Sequence, residues 1–223
     1  MKQKLYLLPG FGEDHRCFRN LKPFLRDYEL VDVDYRPILQ KIPIWDTTPT
    51  QLAKGIIRTY GIQPTDILIG HSMGGYFSHV ISHLEGNDSC LIGSFTDPNK
   101  IIRLSQSKLF NTLVTGSGLV KTPIMRKYIA ERPRDERIKR EMLTIHKNFN
   151  SFSNMAMAQL SILSFGEDLP PSSTQPLHIH AKDDTVVRPP DAPYEKVRGG
   201  HFCLVFHPDE VHEKMQTWLT LSN

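Results

Sequence analysis

A serine lies where a short apolar run gives way to a helical pattern. Residues 66 to 77 read DILIGHSMGGYF, so that Gly70 and Gly74 flank Ser72 in the pattern G-x-S-x-G. A serine at such a strand-to-helix turn adopts a sparsely populated backbone conformation, and the positions two residues away on either side must lack bulk. The following helix would direct its first amides and its partial positive charge at the hydroxyl, where negative charge develops during acyl transfer. The pattern favours a nucleophilic Ser72 over a glycine turn without chemistry.

A serine hydroxyl needs a base to accept its proton and a carboxylate to orient that base. The segments AKDDTVV and RGGHF follow later in the chain, in the order serine, acid, histidine that this kind of turn requires. We interpret His201 as the base, although a histidine beside two glycines can also simply complete a turn. Asp184 is the first candidate for the acid. Asp97, which could instead cap the helix after it, and Asp183 are the alternatives.

Two backbone N–H groups are needed to stabilise the oxyanion of acyl transfer. The Met73 amide, directly after the serine, is the first candidate. The Phe11 amide, in the loop PGFG that follows the first apolar run, is the second. An ordinary Pro-Gly turn is the alternative interpretation of that loop.

Composition narrows the possible partners and cofactors. The net charge of +3 is small and argues weakly against nucleic acid as a partner, and no apolar run approaches the roughly 20 residues of a membrane span. Pro9 and Gly10 interrupt the first apolar stretch well short of a signal-peptide core. The three cysteines are too far apart for a disulfide framework or a metal knuckle, and no phosphate-cradling loop is visible. We therefore expect a cytoplasmic protein that acts on a small molecule without a metal or another cofactor; its oligomeric state stays open.

Strand-like and helix-like segments alternate along the chain, which predicts a mostly parallel sheet covered by helices on both faces. In such sheets the loops after the strands build the site, so Gly10, Ser72, Asp97 and Asp184 should share one edge. The predicted strands are 5–8, 29–35, 66–69, 90–95, 177–181 and 194–198, and the predicted helices are 14–26, 49–60, 73–84 and 208–221.

The alternation stops between Asp97 and Leu177, where four helical candidates occur near 104–115, 123–130, 134–149 and 152–165. Such an insertion would lie above the edge that carries the site. Its basic run RKYIAERPRDERIKRE interleaves acids with bases, which favours a solvated helical face over a patch for polyanions. Its apolar residues could line a substrate pocket, although at helical spacing they are more often core: Phe149, Phe152, Met155, Met157 and Phe165.

Four segments together resemble the α/β-hydrolase fold superfamily over nearly the whole chain. LLPGFGEDHRCF is similar to its oxyanion loop, IGHSMGG to its nucleophile elbow, HAKDDTVVRP to its acid loop and GGHFCLVFHPDEV to its histidine loop. The resemblance implies a three-layer α/β/α sandwich formed by one domain, residues 1–223, with a helical lid at 98–176. About six parallel strands are expected, because the family's first two strands are missing here. Only sixteen residues, several of them proline, separate Asp184 from His201, so we predict an extended connection where family members usually have a helix.

The resemblance and the ordered trio predict a serine hydrolase that cleaves a carboxylic ester or thioester through an acyl-enzyme. Two alternatives stay open at this point. The same scaffold supports lyase chemistry in related families, and a protein of this fold can bind ligands without turnover.

Overall fold

A six-stranded, fully parallel sheet forms the centre of the computed structural model, which describes residues 2–103, 105–131, 135–167, 169 and 174–221. The strands lie in the order β2-β1-β3-β4-β5-β6. They are β1 (Lys4–Leu8), β2 (Glu29–Asp32), β3 (Ile67–His71), β4 (Ser89–Ile92), β5 (Leu177–Ala181) and β6 (Glu195–Val197).

Helices cover both faces of this sheet. Along β1, Tyr6 and Leu8 point into one apolar core, and Leu5 and Leu7 point into the other. The first core is closed by α1 (Arg36–Leu39), α2 (Pro49–Tyr60) and α3 (Met73–Glu85), and the second by α8 (Cys203–Phe206) and α9 (Pro208–Leu221). This alternation of side chains is what a strand buried on both faces requires. The molecule is therefore the predicted three-layer α/β/α sandwich.

Local sequence signals set the ends of α2 as expected. The Thr48 hydroxyl accepts a hydrogen bond from the Gln51 amide at 3.1 Å, Pro49 occupies the first helical position, and Gly61 ends the helix with a φ of 66°. Thr48 accepts from an amide that the first turn leaves unpaired, and Pro49 has no amide to leave unpaired. Gly61 adopts the left-handed conformation that ends a helix, and its amide donates to the Ile57 carbonyl.

We call the stretch 98–176, between β4 and β5, the helical segment, and its described residues form four α-helices. They are α4 (Lys108–Gly116), α5 (Pro123–Glu131), α6 (Glu136–Asn148) and α7 (Asn154–Leu163). Helix α7 joins this segment to the sheet layers, because the Gln159 amide donates hydrogen bonds to the carbonyls of Leu39 and Ile42. Residues 104, 132–134, 168 and 170–173 of the predicted insertion lie outside the described residues.

The helix predicted at 14–26 is wrong. The chain forms two short 3-10 turns there, His15–Phe18 and Lys22–Phe24, although the apolar residues of the pattern are fully buried as expected: Phe18, Leu21 and Leu25. The Asp14 carboxylate accepts from the Arg16 amide and favours a tight turn, and Pro23 supplies no N–H for a continuous helix.

Two predicted strands are too long. The second ends at Asp32, because the Asp34 side chain turns the backbone by accepting from the Arg36 amide. The fourth ends at Ile92, because Gly93 has a φ of 54° and leaves the extended conformation.

The connection from β5 to β6 contains no helix among its residues, all of which are described. It is fixed instead by a bridge to the start of the helical segment. The Ile102 amide donates to the Val186 carbonyl and the Arg188 amide to the Lys100 carbonyl, both at 2.8 Å. The loop that carries Asp184 is thereby held without a crossover helix. None of the helices described in this chain is both long and apolar enough to cross a bilayer.

Candidate active site

Ser72 occupies the turn between β3 and α3 in a strained conformation, with a φ of 52° and a ψ of −124°. Among the described residues it alone has a positive φ without being glycine. The turn fits because its neighbours lack side chains. A Cβ on Gly74 would lie 2.0 Å from the Leu8 carbonyl oxygen, and one on Gly70 would lie 2.4 Å from the backbone of Gly74. Backbone strain of this kind costs about 1–3 kcal/mol and persists where the surrounding structure enforces it.

The three side chains predicted to act together are in hydrogen-bonding contact. His201 Nε2 lies 3.0 Å from Ser72 Oγ, and His201 Nδ1 lies 2.9 Å from Asp184 Oδ2. Ser72 follows β3, Asp184 follows β5, and His201 lies in a 3-10 turn, Gly200–Phe202, between β6 and α8. Parallel pairing brings all three to one edge of the sheet, as the sequence predicted.

The Asp184 carboxylate is held in its ionised form. Its Oδ1 accepts from the amides of Val186 and Val187, at 2.7 and 2.9 Å. Although burial raises the pKa of Asp184, the charge and hydrogen bond of His201 and these two amides together lower it below its usual value. An ionised acceptor at Nδ1 keeps a proton on that nitrogen, so the lone pair of Nε2 faces the serine hydroxyl.

The two alternative acids lie elsewhere. Asp97 accepts a hydrogen bond from the Asn99 amide at 2.9 Å and caps the short turn Pro98–Lys100, which is the role left open for it from the sequence. The side chain of Asp183 is exposed to solvent.

Phe11 and Met73, the two predicted oxyanion donors, both border the cavity above Ser72. Met73 is the first residue of α3, so its amide has no partner within the helix. Neither amide hydrogen-bonds to another backbone or side-chain group among the described residues. Their role as oxyanion donors stays a prediction.

A second, fully buried hydrogen-bond chain supports these loops. Glu13 Oε2 accepts from the Gly10 amide at 2.7 Å and lies 2.7 Å from His71 Nδ1. His71 Nε2 lies 2.8 Å from the carbonyl oxygen of His201. The chain joins three loops, those that carry the Phe11 amide, Ser72 and His201.

The partners of His71 define its protonation state. The His201 carbonyl can only accept, so Nε2 carries a proton, and Nδ1 faces a carboxylate oxygen that already accepts from Gly10. Burial lowers the pKa of His71, but the charge and hydrogen bond of Glu13 outweigh it and raise that pKa. Burial raises the pKa of Glu13, and the charge and hydrogen bond of His71 outweigh it and lower that pKa. Both shifts favour a buried ion pair, in which both ring nitrogens of His71 carry protons.

Sequence reasoning missed these roles of Glu13 and His71. The available signal was an acid three residues after Gly10 in the predicted oxyanion loop, together with a histidine inside the elbow. A glutamate and a histidine 58 positions apart do not by themselves indicate an ion pair.

Glu13, Cys17 and His71 form a group whose donor atoms all lie within 4.8 Å of one another. A metal ion there would have to replace the Glu13–His71 hydrogen bond. It would also need a thiolate, whereas burial first, and then the Glu13 charge, raise the pKa of Cys17 well above its usual value. The residues fit a hydrogen-bonded support better than a metal centre.

A cavity of about 390 Å³ opens between Ser72 and the helical segment. Its wall is mostly apolar and includes Phe11, Met73, Phe95, Met142, Ile145, Phe149, Phe165 and Phe202. Of the five apolar residues considered as pocket lining from the sequence, Phe149 and Phe165 border this cavity, Phe152 and Met157 are buried in the first core, and Met155 is largely exposed. A ligand with an apolar group can place its reactive atom near the serine hydroxyl.

Comparison with known proteins defines the class to which this fold and this site belong. The model of the alpha/beta hydrolase family matches residues 5–214, and the chain belongs to that family.

Solved structures of the same fold are similar over nearly the full length at low sequence identity. An esterase from Exiguobacterium antarcticum has a TM-score of 0.71 at 19% identity, covering 98% of this chain and 92% of its own. A hydrolase from Oleispira antarctica has a TM-score of 0.73 at 14% identity, covering 99% and 92%. An enol-lactonase from Burkholderia xenovorans LB400 has a TM-score of 0.69 at 15% identity, covering 99% and 92%. No curated protein matched the sequence.

Proposed function

We propose that the protein is a serine hydrolase that cleaves a carboxylic ester or thioester through an acyl-enzyme on Ser72. The observation that carries the proposal is the continuous contact from Ser72 Oγ through the His201 imidazole to the ionised Asp184 carboxylate, at 3.0 and 2.9 Å. Membership of the alpha/beta hydrolase family and the structural similarity to an esterase and an enol-lactonase support it.

In the first half-reaction, His201 Nε2 accepts the proton of Ser72 Oγ while Oγ attacks the substrate carbonyl carbon. The carbonyl oxygen becomes an oxyanion that the amides of Phe11 and Met73 stabilise. When the intermediate collapses, the bond to the alcohol or thiol breaks, and the protonated imidazole donates its proton to that leaving group. Asp184 keeps the imidazole in the required tautomer and stabilises its positive form throughout.

In the second half-reaction, His201 accepts a proton from a water molecule, which attacks the acyl carbon. The second tetrahedral intermediate uses the same two amides. Its collapse returns a proton to Ser72 Oγ and releases the carboxylic acid, whose new oxygen atom comes from the solvent.

The helical segment acts as a lid in this proposal, within a single domain that spans residues 1–223. It contributes Met142, Ile145 and Phe149 from above the serine, so the acyl group of the substrate would lie against them. The cytoplasmic location and the absence of a nucleic acid partner stay predictions from the sequence.

Replacing the nucleophile tests the proposal. We expect Ser72→Ala to lower kcat for a p-nitrophenyl ester and a coenzyme A thioester by at least about a thousandfold, because the members of such a triad act as one unit. Ser78→Ala is the matched control. It removes a hydroxyl that only bonds to the Gly74 carbonyl in α3, so kcat should stay within a few-fold of wild type.

Isotope analysis of the product separates hydrolysis from lyase chemistry. In ¹⁸O-labelled water, hydrolysis places one solvent oxygen in each molecule of acid formed. Acid without solvent oxygen, or wild-type turnover by Ser72→Ala, would contradict the proposed mechanism.

A further inference from the structure

The helical segment is strongly basic. Residues 98–176 contain twelve Lys and Arg residues against six Asp and Glu, whereas the whole chain has a net charge of only +3. Part of this charge is neutralised locally, since Arg137 pairs with Asp135 at 2.9 Å and Lys139 with Glu136 at 3.2 Å. Those residues fit the solvated face that the sequence predicted.

Three other cations of the segment are not neutralised in this way. Arg126 of α5 and Lys147 of α6 have no carboxylate within ion-pair distance among the described residues. Lys121 Nζ bonds to the Phe152 carbonyl and to Asn154 Oδ1, both at 2.7 Å, and these neutral acceptors leave its charge uncompensated.

These three cations line one cleft of about 520 Å³ between α5 and α6. Thr144 and Asn150 add polar side chains to its wall, and no acidic side chain of the described residues lines it. A concave surface with three positive charges, further polar groups and no carboxylate suits an anion.

His146 supplies an independent observation that points to a ligand in this cleft. The residue is 4% exposed and lines the cleft, and its buried Nε2 has no hydrogen-bond partner among the described residues. The ring also interacts with the Val120 carbonyl. A buried polar atom without a partner is rare in folded proteins and requires an explanation.

We propose that this cleft is a binding site for phosphate groups, held by Lys121, Arg126, Lys147 and the Nε2 of His146. Arginine and lysine side chains bind phosphate oxygens through charge-assisted hydrogen bonds.

Anion binding also accounts for the state of His146. Burial first, and then the positive charge of Arg126, lower its pKa, while the Val120 carbonyl opposes them. Without a bound anion, His146 is therefore a neutral imidazole that lines the same cleft as Lys121, Arg126 and Lys147. An anion in contact with Nε2 favours the protonated imidazole, which donates a hydrogen bond from Nε2 to the anion.

The cleft lies behind the wall of the active-site cavity. Helix α6 presents Met142 and Ile145 to that cavity and His146 and Lys147 to the cleft, and the His146 ring lies 5.7 Å from the ring of Phe149. The phosphate groups could therefore belong to the leaving group of a substrate such as a coenzyme A thioester, or to a separate phosphorylated compound. The first of these sources rests on the proposed hydrolase function.

Calorimetry with pyrophosphate tests the site independently of turnover. The Ser72→Ala protein, in 0.15 M salt to screen diffuse attraction, should bind one pyrophosphate per chain with saturation. Binding should be at least about tenfold weaker after the additional changes Arg126→Glu and Lys147→Glu, which remove two charge-assisted contacts. The control variant adds Lys108→Glu and Lys127→Glu to Ser72→Ala, which changes the charge by the same amount at two exposed lysines outside the cleft. Its Kd for pyrophosphate should stay within about threefold of that of Ser72→Ala alone.

The results distinguish a specific binding site from non-specific attraction of an anion to a basic surface. Absence of saturable binding, or equal weakening by both pairs of substitutions, would overturn the proposal. Titrations in two buffers with different ionisation heats measure the protons exchanged on binding, to which pyrophosphate itself contributes. The protein that carries His146 should take up more protons, or release fewer, than His146→Gln. Circular dichroism reports whether the His146→Gln variant folds. If it does not fold, the comparison of the cleft pair (Arg126→Glu with Lys147→Glu) with the control pair (Lys108→Glu with Lys127→Glu) still tests the proposal.

Steady-state kinetics identify the source of the phosphate. If it belongs to the substrate, Arg126→Glu with Lys147→Glu should raise KM for a coenzyme A thioester at least tenfold more than KM for a p-nitrophenyl ester of the same acyl group. If that ratio is unchanged while pyrophosphate binding is lost, the cleft binds a separate phosphorylated compound.

Discussion

His71 and His201 lie side by side, with ring centroids 4.9 Å apart, but their partners demand different protonation states. In the proposed mechanism, His201 needs a lone pair on Nε2 to accept the serine proton, whereas an ionised Glu13 and the His201 carbonyl favour protons on both nitrogens of His71. A positive charge this close to the base would oppose its protonation. The buried Glu13 carboxylate compensates that charge, which gives a physical reason for an acid in the predicted oxyanion loop.

The substitution Glu13→Gln tests whether the Glu13 carboxylate positions the site. Glu13→Gln should lower kcat by roughly tenfold to a hundredfold with a smaller change in KM, because small displacements of positioned groups cost about that much. One oxygen, Oε2, now accepts from both Gly10 and His71. In the variant, a neutral His71 would accept a hydrogen bond at Nδ1 from the NH2 group of the new side-chain amide. That NH2 group would take the place of Oε2, so the Gly10 amide would lose its acceptor.

Kinetics and NMR together check this prediction. In wild type, ¹⁵N spectra of the histidine rings should show both nitrogens of His71 protonated at neutral pH, and in Glu13→Gln only one. Glu141→Gln is the matched control, since Glu141 pairs with Arg19 at the surface and should leave both signals unchanged. Wild-type kcat in Glu13→Gln together with an unshifted His71 spectrum would contradict the positioning role.

At the residue scale, the sequence predicted that Ser72, Asp184 and His201 would lie together, and their side chains are in contact, while their catalytic roles stay predictions. Ser72 and His201 are recognisable because their neighbours are glycines in a fixed order along the chain. Glu13 is not recognisable in this way, because its role depends on burial beside a histidine 58 positions away. A carboxylate in a loop is normally a surface group, and nothing local in the sequence indicates otherwise.

At the scale of elements, the elbow depends on close contact between α3 and the strands beside it. We expect Gly74→Ala to destabilise the fold by about 3 kcal/mol or more, because the new methyl group would lie 2.0 Å from the Leu8 carbonyl oxygen, in backbone that cannot move aside. Urea unfolding monitored by circular dichroism measures the change in the free energy of unfolding.

Gly61→Ala is the control for the loss of a glycine as such. Gly61 has a φ of 66° but no atom within 4 Å of the added Cβ, so only the backbone conformation opposes the substitution, at about 1 kcal/mol. Equal costs at the two positions would show that close packing at the elbow is not what requires Gly74.

Element prediction succeeded where periodicity and end signals agreed. Helix α2 has apolar spacing, a Thr48 cap, a proline at its first position and a terminal glycine, and it forms with those ends. The stretch 14–26 has the apolar spacing alone. There Asp14 and Pro23 favour turns, so the same three residues are buried by a different backbone.

At the scale of the whole molecule, the buried Glu13–His71 pair makes stability depend on pH from both sides. The pKa of Glu13 is lowered in the folded state, so its contribution is present above its unfolded value of 4.5 and is lost as pH falls through the folded value. The pKa of His71 is raised in the folded state. Its contribution is present below its unfolded value of 6.5 and is lost as pH rises through the folded value.

This linkage predicts how wild type and Glu13→Gln compare across pH. The difference in their free energies of unfolding should be largest between about pH 4.5 and 6.5, roughly 3–5 kcal/mol, and should shrink in more acidic and more alkaline solution. Urea unfolding at several pH values measures it. A difference that is constant with pH would show that the pair is not ionised in the folded protein.

The parallel architecture could be predicted from the whole sequence because alternating strands and helices leave few other arrangements. The cavity and the basic cleft could not, since both depend on how the helices of the segment pack against one another and on which of their faces point inward. Helix α6 shows this most clearly, with an apolar face toward the serine and a basic face toward the cleft.

Mass spectrometry of the enzyme during turnover tests the central claim most directly. Wild type quenched in acid while it hydrolyses a p-nitrophenyl ester should carry one acyl group on the peptide that contains Ser72, and Ser72→Ala should carry none and show almost no turnover. Undiminished turnover in Ser72→Ala, or an acyl group only on another residue, would contradict the assignment of Ser72, His201 and Asp184 as the catalytic centre.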